Sequence, residues 1–508
     1  MAILNKKNMN PRRKQIREAM AAERFSKLVG TVNSGMLTAI SILVVFAAAC
    51  SLLLSLKTGR DALAWRPWHQ ILAVVLFVAS LSFAAAVKIY RYNYRLIKTP
   101  LRAVALGGLF LILLAITKLG TFFAGSVYIA VAAAVACSII LTIAYDQRFA
   151  LSMGIVYAML ACIAAGFETD FGLFLTMAAG TVSSCFLLRE IRTRMKILEV
   201  GVFAGAAVFI ISFASDLFEL GFNRHIFVEA GFAATAVIAI SIVIQALLPI
   251  IEKTFCIATS MTLLDYSDAN QPLLKKLAME APGTYSHSLL IGSIAEAAAE
   301  SIGANGLLCR VGAYYHDIGK IGKPRYFVEN QMGTASRHEQ LSPAMSQLVI
   351  VGHVKDGKEL AEEYKLPAVI RQFIETHHGT TLIEYFYEEA KKKANGTGNP
   401  PAESEFRYPG PRPQTKESAI VMLADGVEGA VRSLTEITPT KIETVVHNMA
   451  MKRLQDGQFD ECELTLKELS KIEEAISKSL AGHYHGRVAY PSTDKLQHLA
   501  AEQETKNA

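Results

Sequence analysis

Between residues 36 and 251 the chain carries eight long apolar runs in succession, at about 36–56, 70–90, 103–123, 126–145, 149–166, 171–188, 198–216 and 228–250. A bilayer crossing needs roughly 20 apolar residues in a helix, because a helix satisfies its own backbone polar groups in lipid. The runs therefore exclude a wholly water-soluble fold and define a polytopic helical membrane domain over 36–251. The fifth and sixth runs are short, so seven crossings are an alternative to eight.

Connector charges orient these spans. The second connector holds Lys88, Arg91, Arg95, Lys98 and Arg102, the fourth is Asp146-Gln147-Arg148, and the sixth holds Arg189, Arg192, Arg194 and Lys196. The alternate connectors are poorer in base: Lys118 alone, then Glu168 and Asp170, then Asp216, Glu219, Arg224 and His225. The first connector, with Lys57, Arg60 and Arg66, is an exception. On balance the N-terminus and everything after the last span face the cytoplasm, which eight spans satisfy and seven do not.

The net charge of +6 has a local origin. Residues 1–35 hold eight basic side chains against Glu18 and Glu23, which equals the whole excess. A basic arm just before a span reads as facing anionic lipid rather than a nucleic acid polymer. It is also too long and too charged for a cleaved signal peptide. Ionisable residues sit at span edges, so the membrane half reads as an anchor or signal-input module rather than a transporter. Seven cysteines with no CxxC spacing give neither a disulfide framework nor a zinc site.

After Lys253 the pattern becomes amphipathic and helical, so the fold class is all-α throughout. Segment 252–270 reads as a coupling segment, 271–485 as one helical domain and 486–508 as a flexible tail. Helices are expected over about 285–301, 306–318, 343–354, 367–378, 380–393, 416–434, 440–455 and 466–480. Pro343 and Pro367 fall where a first helical turn would begin, and Gly379 where a C-cap would lie. Residues 391–405 read as a loop.

Ten of the twelve histidines lie beyond residue 286. Five of them form an ordered series with two aspartates: His287, the pair His316-Asp317, His353, the pair His377-His378, and Asp425. One histidine on an apolar helix face is ordinarily a satisfied core residue. Seven such groups in one helical core need a common partner, because unpaired polar groups are costly to bury. Imidazole and carboxylate suit first-row divalent ions, and a carboxylate has two oxygens with which to bridge a pair. Two ions roughly 3.5–4 Å apart can bind a phosphoryl group and activate water, so the expected chemistry is phosphoester hydrolysis.

The series H…HD…H…HH…D resembles the HD phosphohydrolase superfamily. With MEAPGTYSHSLL, RVGAYYHDIGKIGKPRYFVENQ, HVKDG, HHGTTLIEYFY and FRYPGPRPQTKESAIVMLAD, residues 250–490 are similar to the seven-transmembrane HD hydrolases, the PgpH-like cyclic di-AMP phosphodiesterases. The resemblance implies a multi-pass protein of the bacterial inner membrane with a cytoplasmic HD domain. It implies two divalent ions, iron or manganese, ligated by His287, His316, Asp317, His353, His377, His378 and Asp425, with Asp317 bridging. Asp317, His316 and Lys320 are then the expected catalytic residues, and cyclic di-AMP is cut to linear 5′-pApA. Many members carry a large extracytoplasmic domain after the first span, whereas that connector is here only about 57–69. The loop before Asp425 reads as an insertion near the site.

Lys320 in HDxGK is read as a phosphate contact or a helix-end charge. Lys323, Arg325 and Tyr326 offer a basic, aromatic rim for a nucleotide. His338 is read as structural, and His483 and His485 stand outside the ligand pattern. Cyclic di-GMP is disfavoured because HHGTTL and FRYPGP do not form a GYP motif. The competing classes are hydrolysis of another nucleotide, a non-catalytic nucleotide receptor and a transporter. Partners are the cyclic dinucleotide and the lipid bilayer, with a homodimer left open.

Overall fold

The computed structural model describes residues 34–58, 63–93, 95–124, 127–166, 171–188, 191, 193, 195–331, 336–394 and 401–485. The basic arm up to residue 33, the tail 486–508 and the charged positions Arg60, Glu168, Asp170, Arg189, Arg192 and Arg194 lie outside them. The chain divides into two compact units between Thr259 and Ser260, inside the segment read as a coupling piece.

The first unit is a helical bundle: α1 (Ser34–Ser55), α2 (Trp68–Tyr92), a short α3 (Arg95–Lys98), α4 (Pro100–Ala124), α5 (Tyr128–Ala144), α6 (Gln147–Ala165), α7 (Phe171–Leu187), α8 (Met195–Leu220) and α9 (Arg224–Phe255). Among the described residues, six of these helices are long and apolar enough to cross a bilayer, while α5 and α7 are shorter. The sixth run is thus short as expected. The fifth forms a full-length helix, and the fourth is the second short one. Helix α5 is buried along most of its length, from Ala130 to Leu141, so neighbouring helices rather than lipid surround it. Its small residues permit close approach, and Ser138 Oγ donates to Ala134 O and reaches Thr181 Oγ1 at 3.0 Å. Lys118, counted with a connector above, lies within α4 with its side chain buried.

The first connector forms a hairpin of β1 (Leu56–Thr58) and β2 (Leu63–Trp65), antiparallel with Leu56 opposite Trp65. Strands of three residues are too short to show alternation, which is why the sequence did not suggest them. The hairpin also accounts for one base in the exceptional connector. Arg66 is buried, and its guanidinium donates to Leu54 O near the end of α1 and Ile163 O near the end of α6. It satisfies helix-terminal carbonyls as well as carrying charge.

The second unit comprises α10 (Ser260–Ser267), α11 (Pro272–Glu280), α12 (Pro282–Ser301), α13 (Gly306–Tyr315), α14 (Pro343–Glu363), α15 (Ala368–Thr376), α16 (Glu384–Ala394), α17 (Lys416–Arg432), α18 (Pro439–Gln455) and α19 (Leu466–His485). Its core joins α12, α13, α17, α18 and α19 through residues such as Ile291, Ile294, Ala313, Leu423, Val446 and Ile472. Sequence signals fix several starts. Ser342 caps α14 ahead of Pro343, and Thr415 and Ser418 form a reciprocal cap on α17. Pro367 sits at the N-cap of α15 rather than in its first turn, and Gly379 adopts a left-handed φ of 53°.

Several boundaries differ from expectation, and α14, expected over 343–354, runs on to Glu363. Helices α10 and α11 occupy a stretch for which none was expected. The segment 380–383 is extended, Ile383 N–H donating to Phe406 O and Tyr408 N–H to Thr381 O, so α16 begins only at Glu384. The helix expected over 306–318 stops at Tyr315, and a 3-10 turn follows at Ile318–Gly322.

Candidate metal centre

That early stop creates the site. His316 ends α13 and Asp317 precedes the 3-10 turn, so adjacent side chains leave the helix axis in different directions. His287 comes from the N-terminal part of α12, His353 from the middle of α14, and His377-His378 from the end of α15. Asp425 comes from the middle of α17. All seven residues of the sequence series converge.

They form two groups, each with one ligand atom per residue and all those atoms within 4.8 Å of one another. One is Asp317, His353, His377 and His378; the other is His287, His316, Asp317 and Asp425. Asp317 belongs to both, and its oxygens are divided between them. Oδ1 lies 3.3 Å from His353 Nε2 and 3.5 Å from His377 Nε2. Oδ2 lies 3.2 Å from His316 Nε2 and 3.9 Å from His287 Nε2. Asp425 spans the pair more loosely, with Oδ1 3.0 Å from His287 Nε2 and Oδ2 4.0 Å from His378 Nδ1.

The imidazoles are held for this purpose. Nδ1 of His316 lies 2.6 Å from Ala313 O, that of His353 2.5 Å from Ile350 O, and that of His377 3.0 Å from Phe373 O. With Nδ1–H donating to its own helix, each ring presents the Nε2 lone pair inward, as the ring of a metal-ligating histidine does when its other nitrogen is hydrogen-bonded. His287 is flanked by side chains instead, its Nδ1 being 2.9 Å from Glu428 Oε2 and 3.3 Å from Arg432 Nη2. Glu428 in turn pairs with Arg432.

Two inner atoms are left over. His316 Nε2 and Asp317 Oδ1 are buried without a hydrogen-bond partner, a cost of about 1–3 kcal/mol each unless something else engages them. Electrostatics point the same way. Burial by itself would lower the His316 pKa, but the charge of Asp317 outweighs it and raises it to about 10. A cation is wanted there. Burial, followed by the His377 and Lys320 charges, pushes His353 down to about 3 against the pull of Asp317, so its lone pair is available. Burial and the neighbouring histidines hold His378 well below its usual value. Asp317 stays far below the carboxylate range despite its burial, through His316 and Lys320. An N/O donor set of this kind, with unsatisfied inward atoms, fits divalent first-row ions.

Lys320 is not on a rim. Its Nζ lies 2.6 Å from Asp317 Oδ2 and 2.9 Å from Glu329 Oε1. Glu329 also accepts from Thr284 Oγ1, and Asn330 Oδ1 accepts from the N–H groups of Gly283 and Thr284 at the start of α12. The loop after HDxGK is thereby pinned to the helix that carries His287. Lys323 is exposed, 3.7 Å from Asp356, and Arg325 is exposed too. Tyr326 is half-buried against His338, whose Nε2 lies 2.9 Å from Tyr326 O. His483 is exposed at the end of α19 and belongs to neither group.

Sequence reasoning missed Glu428, Glu329 and Tyr408. The Tyr408 ring stacks on His378, with centroids 4.2 Å apart, and walls one side of the cluster. Glu428 had one signal, a carboxylate one helical turn beyond Asp425 inside an apolar run.

The comparisons with known proteins agree with the two-unit division. A family described as "7TM receptor with intracellular HD hydrolase" matches residues 68–259, and the HD domain family matches 284–430. The cyclic-di-AMP phosphodiesterase PgpH of Bacillus subtilis (strain 168) is 42% identical over 322 residues, which is 62% of this chain and 44% of the relative. That of Listeria monocytogenes serotype 1/2a (strain 10403S) is 37% identical over 358 residues, covering 69% and 49%. The chain thus spans about half the length of the curated relatives it matches. A crystal structure of the L. monocytogenes PgpH HD domain in complex with cyclic-di-AMP is 47% identical, with a TM-score of 0.41, covering 43% of this chain and 100% of that one. The apolar helices and the first match make this a multi-pass membrane protein, and the HD match implies divalent-metal binding.

Proposed function

We propose, from its likeness to seven-transmembrane receptors with an intracellular HD hydrolase, that the chain is a membrane-anchored phosphodiesterase that cuts cyclic di-AMP to linear 5′-pApA. The observation that carries the reaction class is the division of Asp317's oxygens between two ligand groups. The dinucleotide itself is supported by the names of the relatives. His353, His377 and His378 would hold one divalent ion and His287, His316 and Asp425 the other, with Asp317 shared and iron or manganese as the metal. Bound there, such a pair lowers the pKa of water and neutralises charge on a phosphodiester under attack.

This chain's own residues then have separable tasks. Backbone carbonyls of α13, α14 and α15 fix three imidazoles, and Glu428 fixes the fourth. Lys320 balances and positions Asp317, while Glu329 holds Lys320 in place. Tyr408 keeps His378 in register. Lys323, Arg325 and Tyr326 remain the proposed outer contacts for the nucleotide. The HD unit and the N-terminus face the cytoplasm of a bacterial inner membrane in this reading. All seven proposed ligands come from one chain, so the site needs no homodimer.

The test uses the full chain in detergent, stripped of metal and reloaded with iron or manganese, then incubated with cyclic di-AMP and cyclic di-GMP. The expected result is two ions per chain and 5′-pApA as the product by chromatography. Nucleotide bound but uncut under either metal would overturn the enzyme in favour of a receptor. A second prediction concerns Glu428. Glu428→Gln is expected to weaken metal affinity about 10- to 100-fold by loosening His287, measured by titrating the stripped chain. Wild-type affinity in that variant would reduce Glu428 to a partner of Arg432.

A further inference from the structure

Most cations around the metal centre are already paired. Lys320 is held by Asp317 and Glu329, Arg432 by Glu428, Arg407 by Glu403 and Asp456, and Arg412 reaches Asp460 at 3.4 Å. Arg453, in the last turn of α18, differs. Within the described residues its side chain makes no hydrogen bond and no ion pair, and its Nε is buried without a partner.

Its position is well defined. The guanidinium lies over Gly426, where a Cβ would stand 3.4 Å from Nη2. Gly426 directly follows the proposed ligand Asp425. The charges acting on Arg453 are those of Asp425, Glu384 and Asp456, with the Tyr408 phenol beside them. Each of these carboxylates is engaged elsewhere: Asp425 with His287, Glu384 with Lys452, and Asp456 with Arg407. A half-buried guanidinium whose buried Nε has no partner is costly, and arginine's planar fork matches phosphate oxygens two at a time. Arg453 also stands outside the inner ring, being beyond ion-pair distance of Asp425. The phosphate it meets is therefore one outside the ligand groups.

We propose, resting on the phosphodiesterase reading above, that Arg453 binds the uncut phosphate of a substrate carrying two phosphodiesters, and so selects dinucleotides over single diesters. The sequence motifs do not reach this residue, and the HD match ends before it, at residue 430.

The test compares the full chain with Arg453→Gln and Arg453→Lys on two substrates, cyclic di-AMP and bis(p-nitrophenyl) phosphate, which has a single phosphate. Arg453→Gln is expected to lose about 10- to 100-fold more in kcat/KM on the dinucleotide than on the small diester, chiefly through KM. Arg453→Lys, which keeps charge but not the fork, should fall between. Metal content at the wild-type level would exclude a collapsed site. Equal losses on both substrates, or loss of metal, would overturn the assignment and leave the phosphodiesterase reading standing. Wild-type turnover of the small diester but of no cyclic dinucleotide would sink that reading, and the role of Arg453 with it.

Discussion

Asp317→Ala in the full chain is expected to lower the proposed phosphodiester cleavage at least about 1,000-fold and to release the proposed pair of divalent ions. Among the described residues, no other side chain belongs to both ligand groups. Removing its carboxylate takes a donor from each group at once and leaves Lys320 facing Glu329 alone. Asp317→Asn is the sharper variant, because it keeps the volume and one acceptor while losing the charge. An amide presents one oxygen rather than two, so the substituted side chain could serve one group and not both. The expected result is partial metal content, about one ion per chain, with turnover still lost. Metal content by mass spectrometry and 5′-pApA by chromatography check both statements. Full occupancy with a tenth or more of wild-type turnover in Asp317→Asn would show that the shared carboxylate is not the centre's organising group.

Why the proposed ligands were legible while their supports were not has a physical basis. His316-Asp317 and His377-His378 stand out because adjacent polar residues at the end of an apolar helix have few structural reasons to be there. The residues that aim them leave no such trace. Nδ1 of His316, His353 and His377 is held by backbone carbonyls, which every helix has. Glu428 and Glu329 read as ordinary solvated acids until the fold buries them. Tyr408 reaches His378 because Leu382 and Arg407 meet in an isolated antiparallel bridge, a long-range contact that replaced the expected helix start. In the membrane half the apolar runs gave the helices directly. The short hairpin did not emerge, since it depends on Arg66 meeting the carbonyl ends of two helices distant in sequence.

Gly319 belongs to the same blind spot, and its replacement is the second large effect expected. It lies in HDIGK between Asp317 and Lys320, where the sequence draws attention to the charged residues. A Cβ on Gly319 would stand 1.8 Å from His353 O and 2.5 Å from Gly357 N, so the turn and α14 touch backbone to backbone. Neither atom is the end of a flexible side chain. Gly319→Ala must therefore push α14 away from the turn, and with it His353 from Asp317, now 3.3 Å apart. A shift of about 1 Å is enough to cost roughly 100-fold in turnover, and the overpacking adds about 1–3 kcal/mol of destabilisation. Gly352, next to His353 on the same helix, provides the control. A Cβ there meets nothing within 4 Å. Gly352→Ala should keep activity and gain a few tenths to about 1 kcal/mol from helix propensity. Thermal unfolding, metal content and kcat/KM of the two full-length variants decide the matter. Similar behaviour of the pair would mean that the turn tolerates a side chain and that the glycine of HDxGK has no part in setting the distance between the ligand groups.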